Sequence, residues 1–200
     1  MRYEDIFQLG MLTLFLAVFL GRSAWMRAQG ITVFVIGEGK RGARRVLEVL
    51  FFIALPAWMF AIAASAAGYQ LPAVPQSISA YLFESRWLKA AGVALISAGF
   101  LVFIAALAAF GRSWRIGIDN KNPGRLVTEG IFRLTRNPVF LFVDLYFVGT
   151  FLVYPNLLFL AFAVACVTGI HFQVLQEERF LLQRYGDDYR AYMGRTGRYV

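Results

Sequence analysis

The sequence predicts an all-α integral membrane protein of about five transmembrane helices, with its N-terminus outside and interfacial helices at a cytoplasmic C-terminus. Three observations carry that prediction. First, the 200-residue chain is 59% hydrophobic and only 16% charged, with 20 phenylalanines and a mean hydropathy of +0.59. A soluble domain averages roughly half apolar and about a quarter charged, and a globule of this size could not hide so much apolar surface. Second, the apolar runs suit the ~30 Å hydrocarbon core of a bilayer, which takes about 20 helical residues to cross. Third, the basic residues, which give a net charge of +8, cluster between alternate runs. This composition excludes a soluble enzyme, a disordered chain and a secreted disulfide scaffold. The single cysteine, Cys166, allows no intrachain disulfide.

The first span runs from Ile6 to about Trp25. Glu4 and Asp5 precede it, and Arg22 and Arg27 sit at its end and just after it, which is the wrong charge order for a signal peptide. The second runs from about Leu47 to Gly68. The third, Leu88 to Phe110, is rich in Ala and Gly, which suits close helix packing. Between them, 68–86 reads as an interfacial outer loop. The chain is then apolar from Val139 to Leu175, broken mainly by Asp144 and His171. That is too long for one span. Tyr154-Pro155-Asn156 is the natural turn, so the stretch predicts a helical hairpin of 138–153 and 156–175. Its first arm would reach only about 24 Å.

The positive-inside rule sets the orientation. With the N-terminus outside, the basic residues of 22–46, 111–137 and the C-terminal tail all fall inside. Only Arg2, Arg86 and Lys89 remain outside. The basic rims then face anionic lipid headgroups. No basic–aromatic pattern points to nucleic acid. Residues 1–110 read as three spans with a basic cytoplasmic loop, and 111–200 as the region that carries chemistry.

Two cytoplasmic pieces are more than connectors. The segment 111–137 is too long for a plain turn and mixes glycines, aromatics and both charge signs. Pro138 suits the first turn of the next span. In the tail, Phe180, Leu181, Tyr185 and Tyr189 recur at near-helical spacing. This predicts a helix leaving the fifth span, a break at Gly186 and a short interfacial helix. Sharing one membrane face, the two pieces form a lid over the mouth of spans three to five.

The order Gly111-Arg112-Ser113-Trp114-Arg115, Leu126-Val127-Thr128-Glu129-Gly130-Ile131-Phe132-Arg133, Arg136-Asn137-Pro138, Glu177-Glu178-Arg179-Phe180-Leu181 and Tyr185-Gly186-Asp187-Asp188-Tyr189 resembles the isoprenylcysteine carboxyl methyltransferase family and the related membrane phospholipid methyltransferases. The resemblance covers roughly 111–200. It implies S-adenosylmethionine as cofactor and an all-helical membrane fold. In the family, an Arg-His-Pro-x-Tyr stretch and a Glu-Glu pair contribute to the cofactor pocket. Here the pair is intact, but the stretch reads Arg136-Asn137-Pro138-Val139-Phe140. Asparagine keeps hydrogen-bonding capacity without titrating near neutrality, and phenylalanine keeps the ring without the hydroxyl.

The residue chemistry suits that cofactor. Glu177 or Glu178 can accept from the ribose or amino group. Arg136 or Arg133 can pair with the cofactor carboxylate. Trp114 or Tyr189 can hold adenine or face the sulfonium. Asp144 lies about two turns inside the fourth span, where a carboxylate faces a cavity or a partner such as an arginine. His171 is a candidate cofactor contact or acceptor-side base. Each residue also has a plain structural reading: a solvated helix start for the glutamates, an anchor for Arg136, a helix cap for Asn137, belt aromatics for Trp114 and Tyr189, and a packed hydrogen-bonding residue for His171. No His/Cys/Asp cluster has metal-ligand spacing.

The leading expectation is a methyltransferase whose lipophilic acceptor enters from the bilayer. A prenylcysteine carboxylate, a phospholipid amine or another small lipophilic molecule would serve. Two alternatives stay open. One is an NADPH-dependent membrane reductase of the sterol-reductase type, with Arg112, Arg115 or Arg125 on the phosphates. The other is a non-catalytic scaffold that keeps the fold.

Overall fold

A computed structural model describes residues 1–31, 43–111 and 126–199, with the backbone alone at 43–48, 50 and 51. Among the described residues the apolar runs are all helical, and Tyr81 and Asn156 form one isolated β-bridge. Helix α1 spans Tyr3–Ala28, with Glu4 and Asp5 in its first turn and Arg27 in its last. That charge order complements the helix dipole. Helix α2 covers Ala43–Ala66 around an internal Pro56. A single turn, α3, follows at Gln76–Ser79. Helix α4 runs Arg86–Phe110; the Ser85 hydroxyl accepts from the Leu88 N–H, and Gly111 ends the helix at φ +50°.

A 3-10 turn at Gly130–Arg133 leads to α5, Pro138–Val153, which begins at the proline as the sequence predicts. Helix α6, Leu157–Met193, is capped by the Asn156 side chain, which accepts from the Phe159 N–H at 3.0 Å. Gly186 interrupts it at φ 53° and ψ −121°, a conformation open to glycine and costly for other residues. The sequence places the break at this residue. Helices α1, α4 and α6 are long and apolar enough to cross a bilayer; α5 and the Phe52–Ala66 part of α2 are shorter apolar helices. The chain is an all-helical membrane protein.

Helices α4 and α5 lie closest together, because glycines meet where they cross. A Cβ on Gly92 would sit 2.6 Å from the Gly149 carbonyl oxygen, and one on Gly149 would sit 2.6 Å from Ile96 Cγ1. Small residues let backbones approach and gain dispersion contacts that a lipid tail cannot match. Aromatic rings fill the space around this crossing. Phe103 stacks on Phe142 at 4.7 Å and Trp58 on Phe147 at 4.0 Å. The resulting core draws on all five long helices.

The two ends of the bundle are finished differently. At one end, Tyr154 donates to Asp5 at 3.1 Å, Arg2 donates to the Tyr81 hydroxyl at 2.7 Å, and Lys89 pairs with Glu4 at 3.5 Å. These contacts clasp α1, α4 and α5 together. At the other end, Arg22 of α1 donates to the Gly111 carbonyl at the close of α4. There a second, smaller core forms around Phe132, Tyr189 and Tyr192, packed against Ala109 and Phe110 of α4.

Candidate active site

Glu178 is the centre of the second end. It lies on α6 just beyond the apolar stretch, and only 6% of its surface is exposed. Arg136 donates through Nε and Nη2 to Glu178 Oε1 at 3.2 and 2.8 Å. Arg198 donates through Nε and Nη2 to Oε2 at 3.1 and 2.9 Å. Each oxygen thus receives a guanidinium edge, a strong charge-assisted arrangement. Burial pushes the carboxyl up, but the Arg198 and Arg136 hydrogen bonds and charges outweigh it and hold the group below its ordinary value.

The same residues fix the chain's last turn. Arg136 Nη1 donates to the carbonyls of Thr196 at 2.7 Å and Met193 at 3.2 Å, and its backbone N–H donates to Gly197. The Asn137 side chain donates to the Arg198 carbonyl at 3.1 Å and reaches Glu178 Oε1 at 3.5 Å. It makes no side-chain cap for α5. The Thr135 hydroxyl donates to the Arg198 carbonyl and accepts from the Asn137 N–H, both at 3.2 Å. Burial pushes the Tyr192 phenol up to about 12, so it stays protonated and donates to the Phe132 carbonyl at 2.6 Å. One polar knot therefore joins the turn before α5, Glu178 of α6 and the tail.

The predicted site residues take several positions around this knot. Arg136, Asn137 and Glu178 are inside it. Glu177 is half-buried next to it, and Arg133 is exposed on the 3-10 turn. The Tyr189 ring is buried against Tyr192 at 6.0 Å, so it backs the site from the core side. Trp114 lies outside the described residues, as do Arg112, Arg115 and Arg125.

Asp144 and His171 belong to a neighbouring open cleft of about 480 Å³ between α5, α6 and the tail. His171 Nδ1 and the Tyr199 hydroxyl are 3.0 Å apart. No arginine among the described residues pairs with Asp144, whose Oδ1 is buried without a hydrogen-bond partner. The sequence reading missed Arg198, Thr135, Thr196 and Tyr199. An arginine between Gly197 and Tyr199 was the available signal, but it looks the same as a membrane-surface anchor.

The model of the phospholipid methyltransferase family matches residues 87–188, just over half the chain. The chain belongs to the phospholipid methyltransferase family. No curated protein matches it. The matched residues run from the start of α4 to just past Gly186 on α6, and so include Arg136, Asn137, Asp144, His171 and Glu178. Arg198 and Tyr199 lie beyond the matched segment, yet they close the knot and the cleft. Family membership and the apolar helices together make the protein a membrane methyltransferase.

Proposed function

We propose that the protein transfers a methyl group from S-adenosylmethionine to a lipophilic acceptor that enters from the bilayer, at a site facing the cytoplasm. The observation that carries this reading is the Arg136–Glu178–Arg198 knot. It gathers the most polar pieces of the family segment at one end of an apolar bundle, next to a cleft that runs along α6.

The chemistry of the donor set fits the cofactor. S-adenosylmethionine supplies the methyl group as a sulfonium. Arg133, exposed, and Arg198, whose side chain is 36% exposed, offer guanidinium N–H groups to its carboxylate. Glu177 offers a carboxylate to the ribose hydroxyls or the amino group. Both Glu178 oxygens are occupied by arginines, so Glu178 holds the pocket's frame and positions Arg198. Methyl transfer is an in-line displacement, in which alignment and exclusion of water do most of the work. A fixed polar frame on rigid helices supplies that alignment. The basic rim of the same end holds it against anionic headgroups.

Titration of the protein in nanodiscs with S-adenosylhomocysteine tests the reading. Saturable binding is expected, lost in Glu178→Ala and weakened at least tenfold in Arg136→Lys, which cannot reproduce the planar fork. Absence of specific binding to the wild-type protein overturns it.

A further inference from the structure

Between α1, α2 and α5 lies a set of buried polar side chains that the knot and its cleft do not use. Tyr154, Thr150 and Tyr146 follow one another at four-residue spacing and are all buried, so they form a row down one face of α5. Asp5 and Gln8, three residues apart, are likewise buried on one face of α1. The two rows meet rung by rung. At the clasped end Tyr154 donates to Asp5 at 3.1 Å. One turn deeper, Gln8 Nε2 donates to Thr150 Oγ1 at 3.5 Å, stretched beyond the usual ~3.0 Å.

The third rung has no such match. One turn past Gln8, α1 carries Leu12, which has no polar side-chain atom. The Tyr146 hydroxyl is buried without a hydrogen-bond partner among the described residues, and so are Gln8 Oε1 and the indole Nε1 of Trp58 on α2. Trp58 packs edge-on against Tyr146, with ring centroids 5.1 Å apart. Gln8 is 0% exposed, and Trp58 and Tyr146 are each 2% exposed, so neither bulk water nor a lipid headgroup reaches them. A buried polar atom left unpaired keeps its full desolvation cost, and lipid tails offer it nothing.

The three atoms suit water. The indole N–H only donates, the amide oxygen only accepts, and the phenol does either. A water molecule can accept from Trp58 and donate to Gln8, with Tyr146 on either side. Tyr146 touches Trp58 and stands one turn, about 5.4 Å along the axis, from Thr150, the residue that Gln8 reaches. Bridging water spans such a gap, and a site for it needs two to four polar partners, as here.

We infer that ordered water occupies the junction of α1, α2 and α5 and joins Gln8 Oε1, Tyr146 Oη and Trp58 Nε1 in one hydrogen-bonded set. This water continues the two paired rungs, so a polar column runs from the clasp into the apolar bundle. The buried Asp5–Tyr154 pair closes the column at its end. The water is thus part of the fold and holds α1 and α2 on α5 at a fixed depth. The inference stands apart from the methyltransferase reading.

Hydroxyl-radical footprinting of the full chain in nanodiscs tests it, read residue by residue by mass spectrometry. Radicals made from a bound water attack the side chains beside it even where bulk solvent is excluded. Trp58 and Tyr146 are expected to be oxidised. Phe103 and Phe159, 2% and 1% exposed, are expected to stay unlabelled. Tyr146→Phe removes one of the three groups and keeps the ring; Gln8→Met removes another and keeps the length. Each should remove most of the labelling at Trp58 and lower the unfolding temperature. In a dry junction the same changes delete an unpaired polar group, and the unfolding temperature rises. Unlabelled Trp58 and Tyr146 in the wild type overturn the inference. So does labelling of Trp58 that is unchanged in both variants, or a gain in stability in both.

Discussion

At the scale of single residues, the stability of the site is concentrated in one carboxylate. Arg136→Ala would leave Glu178 buried with half its partners and would free the carbonyls of Met193 and Thr196. Breaking a buried pair from one side costs about 3–5 kcal/mol. Removing Arg198, which is more exposed, should cost nearer 1 kcal/mol. Thermal unfolding in nanodiscs would rank the two. Acid should act on the same group. The folded carboxyl lies below its ordinary 4.5, so its stabilisation is complete above about pH 4.5 and is lost as pH falls through the lower folded value. Unfolding temperature measured against pH should show that acid step in the wild type and lack it in Glu178→Gln. These contacts were only partly legible in the sequence. Glu178, Arg136 and Asn137 stand in recognisable order. Arg198 had no such context, because its partner lies 20 residues away and nothing local distinguishes a knotted arginine from a surface one. Asn137 shows the same limit: its place before Pro138 suggests a cap, but the tail competes for the amide and wins.

At the scale of helices, local chemistry was readable wherever it is written in consecutive residues. Apolar runs, Pro138 at a helix start, the turn at Tyr154-Pro155-Asn156 and Gly186 at a break all appear where the sequence puts them. How the helices approach one another was less readable. Ala and Gly in α4 announce close packing, but only the fold pairs Gly92 with Gly149. Gly149→Ala should therefore separate α4 from α5 and cost about 1–3 kcal/mol, as overpacking does. Gly169→Ala on α6, where an added Cβ meets nothing within 4 Å, should leave unfolding in nanodiscs unchanged. A Gly149→Ala protein that unfolds like the wild type would mean that the crossing is not tight.

For the whole molecule, the proposed orientation puts the knot in the cytoplasm and the Arg2–Asp5–Tyr154 clasp outside. Cysteine labelling can read that orientation directly, because Cys166 is the only native thiol and can be replaced. In a Cys166→Ala background, Ser77→Cys should react with an impermeant maleimide on intact cells. Arg184→Cys should react only after the membrane is opened. The reverse result would invert the topology and move the site to the other face.

The knot also bears on how the protein is made. Arg136 is 42 residues ahead of the glutamate that neutralises it. At roughly 5–20 residues per second of synthesis, that is a wait of about 2–8 s, during which the whole α5–α6 hairpin must be threaded into the bilayer. Until then the guanidinium has only water and lipid phosphates for company. It can serve meanwhile as the hook that keeps its end of the hairpin from being drawn through the membrane, and the finished ion pair then locks a geometry that the insertion machinery has already set.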